Sequence, residues 1–284
     1  LDWPTAEGAE GAAAGAAGGG GARGGQSCSE AGHTLCGVDV ALRGGDLLVV
    51  CGEQGQGKSS ILQGLLGEMV VVSGELVSPA VTLRPANGAA GRGFVLPPAS
   101  TANARAAAAS GHTGDPSSVP YASQSATLFS GTVRSNILFG LDHDAEVYQQ
   151  VISACALEVD LAAMPLGDLT EVAQGGATLS GGQRARVGLA RAAYWAAAAR
   201  RERPGCQPLV LLDDPLCSLD RGAGREVCEA LLTAKMGLLA HCAVVVASAD
   251  LWWLSLLPPE AREGGSAARV AVLRGGRVAA LGAV

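Results

Sequence analysis

Residues 52–60, GEQGQGKSS, crowd glycines, a lysine and two hydroxyls into one short run. Gly52, Gly57, Lys58 and Ser59 fit the pattern GxxxxGK[ST], with Gly55 inside the loop and Ser60 directly after it. Glycines at these places let backbone amides turn inward around a phosphate, while Lys58 neutralises its charge and Ser59 offers a hydroxyl to Mg²⁺. A second run, LVLLDDPLCSLD at 209–220, drives four apolar residues into Asp213 and Asp214. A phosphate cradle of this kind needs an acid at the end of a neighbouring buried strand, which assigns Asp213 to Mg²⁺ through water. In a third run, TLSGGQRARVGLARAAY at 178–194, Ser180, Gly181, Gly182 and Gln183 open a helical pattern. Amides and a hydroxyl at a helix start form a second anion site. Taken singly, these runs have plainer readings: a glycine turn, an Asp capping a turn before Pro215, a chance helix start.

The elements that must position these groups alternate along the chain. Strands are expected at 46–51, 75–77, 119–123, 209–213 and 243–248, and helices at 58–67, 144–156, 181–197 and 221–235. Such alternation favours an α/β fold with a largely parallel sheet flanked by helices. Residues 269–282, RVAVLRGGRVAALG, differ, reading as two alternating strands around Gly275 and Gly276 in a terminal hairpin. Residues 236–258 approach the length of a membrane span, but His241 and Asp250 would be costly in its middle. A buried strand followed by a short helix accounts for that run better.

A length of 284 residues at 48% apolar content suffices for one large domain, 1–284, carrying insertions. The insertions are a low-complexity linker at 8–25, a flexible segment at 84–119 and a loop insertion at 196–207, where a helix overruns into a loop. A net charge of −6, with the 20 basic residues forming no block, argues against nucleic acid as a partner. The 8 cysteines form no CxxC pair and favour a reduced, cytosolic setting. The chain starts at Leu1 without a signal-peptide pattern and reads as a piece of a longer polypeptide.

LSGGQ at 179–183, lying between the 52–60 loop and the 209–214 strand, resembles the signature of ATP-binding-cassette (ABC) proteins. The motifs in this order span nearly the whole chain. The resemblance implies a P-loop NTPase fold with a mainly parallel core sheet, an antiparallel β subdomain and a helical signature subdomain at 125–192. It implies ATP and Mg²⁺ as cofactors and a second nucleotide-binding domain as partner, each signature closing on the nucleotide in the other's loop. Gln124 in YASQ matches the loop glutamine that reaches the metal and the attacking water, and Asp220 matches the aspartate that couples the two domains. SGTVRSNILFG at 130–140, GLLGEM at 64–69 and LARAAY before LLDDPL look like the first nucleotide-binding domain of the multidrug-resistance-associated (C) subfamily of exporters. In that subfamily the 130–140 segment receives the coupling helices of transmembrane domains, which implies a place on the cytoplasmic face of a membrane.

Three positions depart from the family pattern. No aromatic residue lies between Trp3 and Phe94, although LDW at 1–3 and TLCGV at 34–38 look like one stretch forced apart by the linker, making Trp3 the face that stacks on adenine. Asp214 stands where a glutamate orients the attacking water. The missing methylene withdraws the carboxylate by roughly 1.5 Å, and a displacement of about 1 Å can cost on the order of 100-fold in rate. Ser248 stands where a histidine contacts the γ-phosphate, and serine is short and lacks the imidazole. The leading expectation is an exporter's ATP-binding domain whose own site hydrolyses slowly. A non-hydrolysing, ATP-responsive regulatory module and a soluble cassette ATPase are the alternatives.

Overall fold

Runs such as LLVVC and AVVVA are apolar at every position, which suits strands covered on both faces. The computed structural model describes residues 34–69, 76–78, 82–83, 119–233, 237–258 and 268–284. In chain order its strands are β1 (Leu47–Cys51), β2 (Leu76–Val77), β3 (Thr82–Leu83), β4 (Tyr121–Ala122), β5 (Gly131–Thr132), β6 (Glu171–Val172), β7 (Leu209–Asp213), β8 (Ala243–Ala247), β9 (Ala268–Arg274) and β10 (Arg277–Ala283). Its α-helices are α1 (Lys58–Leu65), α2 (Val133–Leu138), α3 (Ala145–Ala154), α4 (Glu158–Ala163), α5 (Gly181–Glu202) and α6 (Arg221–Leu232).

One six-stranded sheet runs in the order β10-β9-β1-β8-β7-β4. Its strands are parallel except β10, which returns antiparallel to β9. The fold is therefore α/β with a mainly parallel sheet, joined by two short antiparallel pairs, β2–β3 and β5–β6. The two-residue period divides the core: Leu47, Val49 and Cys51 face one hydrophobic cluster with α3, α5 and α6, while Leu48 and Val50 face Ile61 and Leu62 of α1. Burying each such aliphatic side chain contributes about 1.5–3 kcal/mol, so α1 and the loop before it are held on the sheet by hydrophobic packing.

The helices between β4 and β7 pack around α5. Asn136 of α2 is fully buried and uses both ends of its amide, accepting from Phe129 N and donating to the carbonyls of Phe129 and Thr132. Arg191 of α5 donates to Asn136 O at 2.8 Å and Thr127 O at 3.0 Å, and its guanidinium lies 4.8 Å from the Phe139 ring centre. Tyr194 OH donates to Asp142 O and accepts from Asp144 N, fixing the entry to α3. Thr132 and Asp144 cap α2 and α3 with side-chain oxygens.

Several expectations shift here. Within the expected strand 119–123, only Tyr121 and Ala122 pair with β7. The 269–282 hairpin turns on Gly275 (φ 56°) and Gly276 (φ 73°), but it is part of the core sheet, because β9 runs parallel to β1. The segment 196–207 runs from helix into loop, and the helix extends past the expected end at 197. The alanine-rich residues 196–199 and the residues after them continue α5 to Glu202, since alanine is the best helix former. The described part of 236–258 holds β8 and a 3-10 turn at Trp252–Leu256. No helix among the described residues is long and apolar enough to cross a membrane. Trp3, the 8–25 linker and residues 84–118 lie outside the described residues.

Candidate functional site

Because β4, β7, β8 and β1 run parallel, their carboxyl ends lie along one edge of the sheet, and the chemistry-bearing residues follow there. The loop after β1 needs backbone that only glycine adopts freely. Gly55 has φ 80° and Gly57, the N-cap of α1, has φ 97°. A side chain at Gly57 would also meet Leu35, its Cβ 3.0 Å from that leucine's Cδ2. Lys58 curls its ammonium back over the loop, donating to Gly52 O at 2.8 Å and Glu53 O at 2.9 Å. Gln56 is tied to the β9–β10 turn by accepting from Gly275 N. Ser59 and Ser60 follow in the first turn of α1.

Ser59 Oγ donates to Asp213 Oδ1 at 3.1 Å, although 154 positions separate them in sequence. Tyr121 OH donates to Asp213 Oδ2 at 3.3 Å from the other side. Burial, and then the Asp213 charge, push the Tyr121 hydroxyl up to about 12. Asp213 is itself buried, so both oxygens of a shielded carboxylate are addressed by hydroxyls. Asp214, next along, has φ 46°, a left-handed conformation uncommon for a residue with a side chain. Its N–H is held by Ala247 O at 2.7 Å. Ser248 is 3% exposed, and its hydroxyl lies 3.1 Å from Asp214 Oδ1 and 2.9 Å from Asp250 O. Gln124 is exposed, two residues beyond the end of β4. His241 stands exposed at the opposite, amino end of β8.

The second cradle opens α5. Ser180 caps it with a reciprocal pair, in which Ser180 Oγ accepts from Gln183 N at 3.2 Å and Gln183 Oε1 accepts from Ser180 N at 2.9 Å. Gln183 Nε2 donates to Asp160 Oδ1 at 2.9 Å. Gln183, expected among the nucleotide contacts, thus has both ends of its amide engaged within the chain. Around the place a Gly181 side chain would fill nothing lies within 4 Å, whereas a Cβ on Gly182 would sit 3.2 Å from Ser218 O. Asp220 caps α6 by accepting from Gly222 N and Ala223 N, and those backbone donors lower its pKa.

The structure therefore brings Ser59 to Asp213 and Ser248 to Asp214, and sets Lys58 over the glycine loop. The sequence reading missed Tyr121 and Asp160. For Tyr121 a signal exists: alternation in YASQ puts it on the face opposite the buried Ala122. Nothing in the sequence links Asp160 to Gln183. As for the metal, among the described residues no group of three or more His, Cys, Asp or Glu side chains could hold one. The Ser59 hydroxyl and Asp213 carboxylate instead offer two convergent hard oxygen donors, which fits Mg²⁺ shared with phosphate oxygens.

The family model described as ABC transporter matches residues 35–200. Over 213 residues the chain is 40% identical to ATP-binding cassette sub-family C member 4 of mouse, covering 73% of this chain and 12% of that protein. It is 37% identical over 195 residues to the probable multidrug resistance-associated protein lethal(2)03659 of Drosophila melanogaster, covering 69% and 11%. It is also 37% identical over 199 residues to the cystic fibrosis transmembrane conductance regulator of zebrafish, covering 70% and 10%. The chain spans about a tenth of the length of these relatives. With the phosphate loop, the acidic strand and the capped signature helix in one α/β fold, the chain belongs to the ABC transporter family, and its nucleotide-binding region resembles those of the multidrug-resistance-associated (C) subfamily.

Proposed function

We propose that this chain is the ATP-binding domain of a membrane exporter, that it binds MgATP in the 52–60 loop, and that its own site hydrolyses the nucleotide slowly. The observation that carries the reading is the 3.1 Å contact between Ser59 Oγ and Asp213 Oδ1, which joins the phosphate loop to the acidic strand. Lys58 holds a positive charge over the loop, and the inward-turned amides and the start of α1 receive the phosphates. Ser59, Asp213 and, from its exposed loop, Gln124 hold Mg²⁺. The bound ion supplies charge neutralisation on the terminal phosphates. Tyr121 donates to the Asp213 oxygen that faces away from Ser59. Asp214 occupies the water-activating position with a short side chain in a left-handed conformation, and the Ser248 hydroxyl already faces it. Both features support slow turnover. Ser180, Gly181 and Gly182 serve the nucleotide of a second nucleotide-binding domain paired head to tail, with Asp220 near the junction. The chain lies on the cytoplasmic face of a membrane and engages transmembrane domains through 130–140. Phe139 there and Phe129 just before the segment are 61% and 38% exposed, an apolar pair suited to a partner.

The test is equilibrium binding of a fluorescent ATP analogue with and without Mg²⁺. The wild type is expected to bind, and Lys58→Ala to weaken binding by about 10–100-fold, the usual worth of one or two charge-assisted hydrogen bonds. Equal affinity in the two proteins would remove the 52–60 loop from the reading.

A further inference from the structure

We infer that Asp160, on α4 and outside every motif of the nucleotide site, is a positioning residue that sets the start of the signature helix. The inference rests on the proposed role of Ser180–Gly182 and extends it.

A carboxamide has one accepting and one donating end. Gln183 spans two groups that each accept only one of them: the Ser180 N–H, which can only donate, and the Asp160 carboxylate, which can only accept. Asp160 therefore selects the orientation in which Oε1 points at Ser180 and Nε2 points away. With a donor in place of Asp160, the amide could turn over and the cap would be lost. The selected arrangement leaves Ser180 Oγ accepting from Gln183 N at 3.2 Å, so the hydroxyl's own proton stays available to donate to an anion. Beside it, the open space at Gly181 lets a phosphate approach the backbone. Gln183 then acts from behind the cradle and does not touch the nucleotide.

Asp160 is fixed in turn. Its Oδ2 lies 2.7 Å from Arg186 Nη2, and the two side chains are only 17% and 15% exposed. Arg186 Nη1 donates to Ala156 O at 2.6 Å, within the turn between α3 and α4. Asp160 thereby ties the signature to α4 and to the turn before it, while the phosphate loop lies on a different part of the fold.

The test exchanges polarity across the contact. Asp160→Asn keeps the shape, and because Arg186 on its other side can only donate, Arg186 takes the amide oxygen and the amide NH2 turns toward Gln183. Adding Gln183→Glu lets the new amide at 160 donate to the new carboxylate at 183, whose other oxygen still accepts from Ser180 N–H. Hydrogen exchange of the Ser180 amide, measured on the chain without nucleotide, is expected to speed up about tenfold or more in Asp160→Asn and to return to the wild-type rate in the double variant. ATP-dependent pairing of the chain, followed by sedimentation, is expected to weaken and recover in parallel. Binding of fluorescent ATP to the 52–60 loop stays unchanged in Asp160→Asn. An unaltered Ser180 exchange rate in Asp160→Asn, or a double variant as open as the single one, would overturn the inference. A wild-type chain that does not pair in ATP would count against the head-to-tail reading alone, because the exchange experiment needs no partner.

Discussion

Asp213 is held from two sides, and the two holders were unequally visible. Ser59 belongs to a motif whose chemistry requires an acid across the site, so its partner could be sought in the sequence. Tyr121 reaches Asp213 only because β4 lies beside β7 with Tyr121 opposite Leu211, a register that no residue spacing encodes. Its hydroxyl pKa, raised from 10.0 to about 12, means that the folded state favours the protonated phenol. That stabilisation is complete below the ordinary value of about 10 and is lost as pH rises through about 12. The hydroxyl therefore donates unchanged across the whole neutral range. Tyr121→Phe is expected to raise the Mg²⁺ concentration needed for half-maximal ATP binding by about fivefold, the worth of one modest hydrogen bond, with no dependence on pH between 6 and 9. Asp214 and Ser248 were legible as departures from a pattern, but their mutual contact was not, since it joins the ends of β7 and β8.

At the scale of elements, the strands were legible because buried parallel strands are continuous apolar runs. Differences fell at element ends: β1 and β8 are each one residue shorter than expected, and α5 runs past 197 to Glu202, where composition alone does not mark the end of a helix. The packing of α2 and α3 on α5 was not legible, because it depends on long-range polar ties. A further polar tie, the two-pronged contact of Arg134 with Asp168 at 2.7 and 3.0 Å, joins α2 to the 3-10 turn at Gly167–Leu169. Burial tends to raise the Asp168 pKa, but Arg134 and Tyr148 together outweigh it and the net shift is downward. A depressed carboxylate stabilises the fold above its ordinary value of 3.8, and the contribution is lost as pH falls through the lower folded value. The tie is thus fully present at neutral pH and fails in acid below about pH 4. Asp168→Asn is expected to cost about 1 kcal/mol at pH 7, a figure kept small by the partial exposure of Arg134. The difference from wild type should shrink toward pH 3 in urea unfolding. A difference that stays constant with pH would assign the loss to packing instead.

For the molecule as a whole, the order of the three motifs made the fold class readable, because each motif sits where a strand hands over to a helix or a helix begins. The hairpin at 268–283 shows the limit: its own turn was evident, while its place beside β1 depends on sheet order. Trp3 as the adenine stack remains an expectation from sequence. The central claim is that the chain holds MgATP in a site that turns it over slowly, because Asp214 is short and Ser248 replaces an imidazole. The direct test is the steady-state rate of phosphate release from MgATP by the purified chain, with Asp214→Asn measured beside it. The account predicts a bound nucleotide, a rate on the order of 100-fold below that of a cassette domain carrying glutamate and histidine at these positions, and little further loss in Asp214→Asn. A wild-type rate equal to that domain's, abolished by Asp214→Asn, would contradict it.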